Sequence, residues 1–413
     1  MTAPEQGSTY FRKGFGLKGE VEETLAADYD GSLVDLLRSR DHTLTVGGVT
    51  VRLAREFGFC YGVERAVEYA YQTRRKFPDR RIRLVGEIIH NPHVNRRLGE
   101  MGIEILTPGH DADGKPIFDY ADVSSEDVVI LPAFGVTIRD FETLRGLGCV
   151  VVDTTCGSVL NVWKRVESYA RDGFTALIHG KHYHEETRAT ASQVGRYPDG
   201  QYLVVRDMSE ARHVCAYIEG NGTREEFMTR FLRAASPGFD PDLHLRRIGV
   251  ANQTTMLARE SLAIGEEVGR AVARRYGDEY RAENFRTFDT ICSATQDRQD
   301  AVQELLREQL DAMVVIGGYN SSNTISLAAL CAERVPTYHI EDATSIEPEV
   351  RRIVFRPAGV KHSEASAVDW IPDRSAVRIG LTAGASTPNN KIGETVARIF
   401  ATRGIDVRIV DVA

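Results

Sequence analysis

The sequence predicts an α/β protein built from three repeated units, each with a parallel sheet. Two observations point there. Three cysteines, Cys60, Cys156 and Cys292, lie where an extended segment gives way to a helical one, in "FGFCYGVERAV", "DTTCGSVLNVWKRV" and "DTICSATQDRQDAV". Each then leads through its helix into an apolar strand with a polar loop, and a second strand and loop follow in the same order. Alternating strands and helices imply parallel sheets, and a recurring order of elements is an internal repeat. The expected organisation is an N-terminal extension over 1–48 and a first repeat over 49–150. A second repeat follows over 151–288, with a helical insertion at about 215–245, and a third repeat with the C-terminal segment covers 289–413.

The extension carries one predicted helix, "DGSLVDLLRSRD". The first repeat opens on the strand "VTVRLAREF". Its helix runs from about Val63 to Phe77 and stops at Pro78, with Val63, Ala66, Val67 and Ala70 forming an i, i+3, i+4, i+7 stripe. Gly58 and Gly62 flank Cys60 and let a bulky group approach the backbone. A helix N-terminus also favours a thiolate. In the second repeat Val159, Val162, Trp163 and Val166 form the same stripe. The strand–loops that follow the helices are "RIRLVGEIIHNPHV", "FTALIHGKHYHEET" and "AMVVIGGYNSSNT". Cys60 stands 30 residues before His90, Cys156 28 before His184, and Cys292 30 before Ser322. The second strand–loops are "DVVILPAFGV", "RRIGVANQTT" and "VRIGLTAGAST", and the insertion ends in the turn "SPGFDPD".

Composition narrows the class. A chain of 413 residues with 42% hydrophobic and 27% charged residues can bury a large core. It has neither a signal pattern nor an apolar run long enough to span a bilayer, so a cytoplasmic protein with no membrane partner is expected. A net charge of −8 argues against nucleic acid as the main partner. The six cysteines are scattered without a CxxC, which suggests neither a disulfide scaffold nor a zinc ribbon.

Ligands of parallel α/β sheets sit beyond the carboxyl ends of the strands. By that rule the three cysteines and six loops can face one centre, as a shared metal site. Three thiolates suit zinc or an iron–sulfur cluster. Structural zinc needs a fourth Cys or His at short spacing, which is missing here. A 4Fe–4S cluster with an open fourth iron suits three separated cysteines better. Cys149, Cys215 and Cys331 fall in apolar or helical stretches and are expected in the core. "HEETR" has Arg188 where a zincin helix needs its second His, and "HGK" lacks the spacing of a P-loop. "GGYNSSN" is no dinucleotide fingerprint, yet Asn320, Ser321, Ser322 and Asn323 at a strand end can cradle a phosphate. His90, His184 and Ser386 arrive from other loops and complete an expected anion pocket.

The chain resembles the 4-hydroxy-3-methylbut-2-enyl diphosphate reductase family over essentially its whole length from about residue 10. The motifs are "GFCYGVERAV", "EIIHNPHV", "DTTC", "HGKHYHEET", "NQTTM", "DTICSATQDRQDAV", "GGYNSSNT" and "TAGAST". "RKGFG", "LPAFG" and "HGKHYHEET" are similar to the cyanobacterial and plastid branch. The resemblance implies a three-lobed α/β trefoil around a central 4Fe–4S iron–sulfur cluster held by Cys60, Cys156 and Cys292. It implies that the substrate hydroxyl meets the open iron and the diphosphate meets His90, His184, Ser321, Asn323 and Ser386. Ser322 matches a further substrate contact, Thr254 the position near the hydroxyl, and Glu186 the proton donor. The implied reaction is the last step of the methylerythritol phosphate route to isoprenoids. Two electrons and two protons remove the hydroxyl as water, giving isopentenyl and dimethylallyl diphosphates. The branch implies ferredoxin (or flavodoxin) as electron donor.

Three residues depart from the family pattern. Phe134 stands where many bacterial members have a diphosphate-binding His, Gly157 replaces a proline after Cys156, and Tyr61 replaces a small residue or Trp after Cys60. Two rival readings use the same cysteines. One is a quinolinate synthase-like iron–sulfur dehydratase, against which the diphosphate loops and "HEE" count. The other is a non-catalytic iron–sulfur sensor, which would need no donor-lined cavity. The basic run Arg74, Arg75, Lys76, Arg80, Arg81 and Arg83 could meet an acidic electron carrier or simply form a solvated face.

Overall fold

Strands buried on both faces read as continuous apolar runs, and this chain forms them as "IRLV", "VVIL", "VVVD", "TALIH" and "AMVVI", each wholly buried. They belong to three mainly parallel sheets. The computed structural model describes residues 9–111, 116–288 and 290–407, and Asp289 of "DTIC" lies outside them. The chain divides into two compact units. Unit I comprises Met1–Gly14, Phe77–Ile88 and Gly102–Cys292, and unit II comprises Phe15–Lys76, Ile89–Met101 and Ser293–Ala413.

Unit I holds two of the sheets. The first has the order Tyr10–Phe11, Val150–Asp153, Val128–Leu131, Ile82–Val85 and Ile103–Leu106, all parallel. The second has the order Tyr202–Val205, Thr175–His179, Ile248–Asn252 and Phe285–Thr287, again all parallel. Helix Gly157–Arg171 lays Val162, Val166 and Tyr169 into the core of the second sheet with Leu177, Ile248 and Val268. Burying each such side chain stabilises by about 1.5–3 kcal/mol.

The expected insertion is helical, with Met208–Ile218, Arg224–Phe231 and Pro241–His244. It is part of this core, because Phe227, Phe231 and Phe239 are buried in it. Its segment at Ala234–Ser236 also covers the edge strand, through Val204 N–H to Ala234 O at 2.8 Å and Ser236 N–H to Tyr202 O at 3.0 Å. An open edge invites pairing with another chain, so the insertion protects this one.

Tyr169 lies against Gly249, where a Cβ would overlap its ring, and its hydroxyl donates to Val250 O at 3.0 Å. Gly249→Ala is expected to destabilise unit I by about 1–3 kcal/mol, the usual cost of overpacking, read as a lowered midpoint in chemical denaturation.

Unit II holds the third sheet, ordered Thr337–Ile340, Ala312–Ile316, Val377–Ala383, Val49–Leu53 and Thr43–Val46. It is parallel except for the last strand. A small antiparallel sheet of Ile346–Glu347, Arg352–Phe355 and Ala365–Val368 adjoins it in sequence. The helix expected in the extension forms at Ser32–Ser39. A second helix, Lys18–Tyr29, precedes it, with Val21 and Tyr29 its buried residues.

The sheets divide one strand away from the repeats suggested by the cysteines. Val49–Leu53, ahead of Cys60, pairs with Val377–Ala383 in the third sheet, and Val150–Asp153, ahead of Cys156, completes the first. Phe285–Thr287, ahead of Cys292, completes the second. Each cysteine thus follows a strand of a different one of the three sheets.

Candidate active site

In unit I the turn "DTTC" is held by its own side chains. Asp153 accepts from Thr155 N–H at 2.9 Å and from the Tyr10 hydroxyl at 2.6 Å, and Thr154 Oγ1 donates to Leu131 O at 2.6 Å. Cys156 is then the N-cap residue of helix Gly157–Arg171, its amide bonded to Ala133 O at 2.9 Å. The second cysteine turn of this unit is pinned to "NQTT". Thr290 Oγ1 donates to Asn252 Oδ1 at 2.8 Å, and Cys292 N–H donates to Thr254 O at 3.4 Å.

The same peptide reaches Glu186. Thr254 N–H donates to Glu186 Oε1 at 2.6 Å, so one backbone residue bonds the buried carboxyl at its nitrogen and Cys292 at its carbonyl. Glu186 is 2% exposed. Gln253 fixes the loops on either side, because its Oε1 accepts from Lys181 N–H at 3.2 Å and Thr187 Oγ1 at 3.0 Å. Its Nε2 donates to Thr255 Oγ1 at 2.9 Å. Gly180 must be glycine here, since a Cβ would stand 2.8 Å from Thr187 Oγ1.

His184 caps helix Glu185–Ser192 through Nδ1, which accepts from Glu186 N–H at 3.2 Å. A neutral ring bonded in this way carries its proton on Nε2, where it can donate to an anion. The Phe134 ring stands 6.1 Å from the His184 ring, edge to face, and brings no charge to that side.

Unit II brings polar groups from three loops together. Asn320 Nδ2 lies 3.3 Å from His90 Nδ1, and an amide nitrogen donates, so this neutral ring also carries its proton on Nε2. Ser386 Oγ donates to His90 O at 3.1 Å, and a Cβ on Gly318 would be 2.6 Å from the same oxygen. Ser321 caps helix Ser322–Ala332, which has no acidic residue in its first turn. Asn323 Oδ1 accepts from Ala385 N–H at 2.9 Å, whereas its Nδ2, on a side chain buried with the rest of the residue, has no hydrogen-bond partner among the described residues. A buried donor without a partner is costly, and at a helix N-terminus a phosphate oxygen would satisfy it.

Behind this loop His339 Nε2 donates to Gly317 O at 3.0 Å, and burial pushes the ring down to about 4, so it stays neutral. Cys60 occupies the neighbouring turn, with its amide on Ala385 O at 3.2 Å and Gly58 in the left-handed region at φ +67°.

Cys60, Cys156 and Cys292 are half-buried at their turns, while Cys149, Cys215 and Cys331 are buried. Burial pushes the Cys215 and Cys331 thiols up to about 12, which suits core packing and not ligation. Glu186, His184, Thr254, Cys156 and Cys292 all lie in unit I, and His90, Ser321, Ser322, Asn323, Ser386 and Cys60 all lie in unit II. Three residues of the basic run pair with carboxylates of the chain. Arg81 pairs with Asp127 at 2.8 Å and holds that carboxyl below its usual range, Arg83 is buried on Asp122, and Arg75 pairs with Glu20 at 2.8 Å.

Sequence reasoning passed over Gln253 and Arg298. Arg298 had a signal: it sits at i+3 from Thr295 and i−4 from Val302, a cation on the buried stripe of its helix.

Parallel sheets whose strand-end loops present thiols, a buried carboxyl and a donor-rich helix N-terminus define the class as an α/β enzyme. Residues 51–400 match the family described as LytB protein. The chain is 48% identical to 4-hydroxy-3-methylbut-2-enyl diphosphate reductase of Gloeobacter violaceus, covering 97% of this chain and 94% of that protein. It is 47% identical to the reductase of Thermosynechococcus vestitus, covering 96% and 95%. The chain belongs to the LytB protein family. Its fold resembles the solved structure of (E)-4-hydroxy-3-methyl-but-2-enyl diphosphate reductase, the terminal enzyme of the non-mevalonate pathway, with TM-score 0.50, 28% identity, and coverage of 84% and 98%. The reductase structure from Plasmodium falciparum, with TM-score 0.60 and 20% identity over 85% and 87%, shares the fold. Among the described residues no helix is long and apolar enough to cross a membrane.

Proposed function

We infer that the chain is a 4-hydroxy-3-methylbut-2-enyl diphosphate reductase that uses one 4Fe–4S cluster with Cys60, Cys156 and Cys292 as its thiolate ligands. The observation that carries the reading is the Thr254 peptide, bonded at one end to the buried carboxyl of Glu186 and at the other to Cys292. The half-buried state of these three cysteines, against the burial of the other three, fits ligands that must reach a bound group. Such a cluster supplies, when bound, the electrons and an open iron for the substrate hydroxyl.

The protein's own groups do the rest. His90, His184, Ser321, Asn323 and Ser386 bind the diphosphate, with Ser322 beside them. The histidines donate from Nε2, and the unpartnered Asn323 Nδ2 gains its acceptor. Thr254 lies beside the hydroxyl, and Glu186 gives the departing oxygen its proton. Overall, two electrons and two protons are consumed, the carbon–oxygen bond breaks, water leaves, and isopentenyl or dimethylallyl diphosphate forms. Ferredoxin (or flavodoxin) is the proposed electron source.

The test is turnover by anaerobically reconstituted protein with the substrate and a chemical reductant, both products being quantified. Product from iminoaspartate and dihydroxyacetone phosphate would instead indicate the quinolinate synthase-like reading, and a full cluster without turnover on either would indicate a sensor. Ser321→Ala and Asn323→Ala are expected to weaken diphosphate binding by about 1–3 kcal/mol each, as for a lost hydrogen bond to a charged group. Unchanged affinity of both variants, by calorimetry with the product diphosphate, would remove "NSSN" from the site.

A further inference from the structure

Helix Ser293–Leu305 follows Cys292 in sequence, yet its buried cation serves the turn of another cysteine. Arg298 is 3% exposed and packs on the same face as Thr295, Val302 and Leu305. Its Nη2 donates to Gly58 O at 2.7 Å, Phe59 O at 3.2 Å and Phe57 O at 3.4 Å, and its Nη1 donates to Ala294 O at 2.8 Å. Its Nε is buried without a partner. Among the described residues no carboxylate pairs with this guanidinium, and Asp297, Asp300 and Glu304 of its own helix are exposed.

Carbonyl dipoles soften a buried charge but do not cancel it, and an uncompensated buried cation is strongly unfavourable. Among the described residues, its surroundings therefore lack an anion. The three carbonyls that grip Nη2 belong to the three residues immediately before Cys60. A ligating cysteine is a thiolate, and a thiolate at the end of this turn supplies the missing charge.

We propose that Arg298 is a positioning residue and the buried counter-charge of the Cys60 turn: it locks Phe57–Phe59 and, with Cys60 as a ligand, raises the reduction potential of the bound cluster. This rests on Cys60 being a cluster ligand. A positive charge nearby stabilises the more negative, reduced state, and net charge is one of the factors that set iron–sulfur potentials. A purely structural clamp would leave the potential unmoved.

The experiment uses the full chain, reconstituted anaerobically, with iron and sulfide content measured and the potential read by titration followed by electron paramagnetic resonance. Arg298→Gln is expected to keep a full cluster and to lower its one-electron reduction equilibrium about tenfold, equivalent to 59 mV. Arg298→Lys, which keeps the charge but not the fork of donors, is expected to stay near the wild-type potential. An unchanged potential in fully loaded Arg298→Gln overturns the proposal, as does an equal drop in Arg298→Lys. Should Arg298→Gln fail to hold iron, Arg298→Met, which also removes the charge, takes its place, a lowered potential supporting the proposal and an unchanged one overturning it. Cys60→Ser run in parallel separates the two readings: loss of its cluster upholds the ligand assignment, whereas a full cluster with an unchanged spectrum overturns that assignment and the proposal with it.

Discussion

Glu186→Gln is expected to retain a full cluster and normal substrate affinity while turnover falls by roughly the 10²–10⁴ typical of a missing general acid. Cleaving the carbon–oxygen bond puts charge on the departing oxygen, and a proton must reach it. Glu186 is 2% exposed, so bulk water is a poor competitor as donor. The substitution isolates this role because of what the carboxyl already does. Its Oε1 accepts from Thr254 N–H at 2.6 Å, and the glutamine carbonyl can accept the same bond. The "NQTT" loop and the Cys292 amide that leans on Thr254 O therefore stay in place. The acidic proton is lost while this bond is kept. Glu186→Ala removes the bond as well, and should also loosen the Cys292 turn, seen as reduced iron content. The opposite pattern, near-normal turnover in Glu186→Gln with activity lost only in Glu186→Ala, would make Glu186 a loop staple and place the proton source elsewhere.

What the sequence made legible follows from how each feature is encoded. Buried parallel strands are short apolar runs, so "IRLV", "TALIH" and "AMVVI" announce themselves, and the cysteine turns are marked by the helices that follow them. Parallel partners are not encoded locally, because a crossover separates them, so nothing in "VTVRL" shows that it pairs with a strand more than 300 residues later. Helix Lys18–Tyr29 was missed for a different reason. It buries only Val21 and Tyr29, and is anchored instead by polar bonds, with Tyr71 donating to Asp28 at 2.7 Å and Arg97 to Asp28 at 2.9 Å.

The site divides in the same way. Histidines, serines and a glutamate at strand ends read as chemistry, since those side chains have few other uses in such numbers. Gln253 does not, because an amide looks inert until its bonds to Lys181 and Thr187 are seen. The basic run is the converse case, its charge visible but its partners not: Asp122 and Asp127, some 40 residues on, pair with Arg83 and Arg81.

Replacing Cys60, Cys156 or Cys292 by serine is expected to abolish activity and strip iron, whereas serine at Cys149, Cys215 or Cys331 should cost stability alone. The two sets differ in place and in chemistry. The first three are half-buried at strand-to-helix turns whose backbones are fixed from outside: Cys60 on Ala385, Cys156 on Ala133 and Cys292 on Thr254. A serine fits each turn without strain, so loss of iron there reports the missing thiolate and not a collapsed loop. The second three are buried among apolar side chains, Cys215 with Val214 and Ile218, Cys331 with Leu327 and Leu330. Burial pushes those thiols up, which makes them inert as ligands. A hydroxyl placed at Cys331 is buried among apolar side chains and should cost about 1–3 kcal/mol. At Cys149 the loss should be smaller, because Sγ already donates to Leu144 O at 3.4 Å and a serine can keep that bond. Iron and sulfide content, turnover and unfolding midpoint, measured on all six variants, separate the sets. A folded Cys215→Ser protein without iron, or a Cys156→Ser protein with a full and active cluster, would sink the assignment. Because the fourth iron has no protein ligand in this scheme, air should degrade the wild-type cluster, and a cluster stable in air would count against an open site.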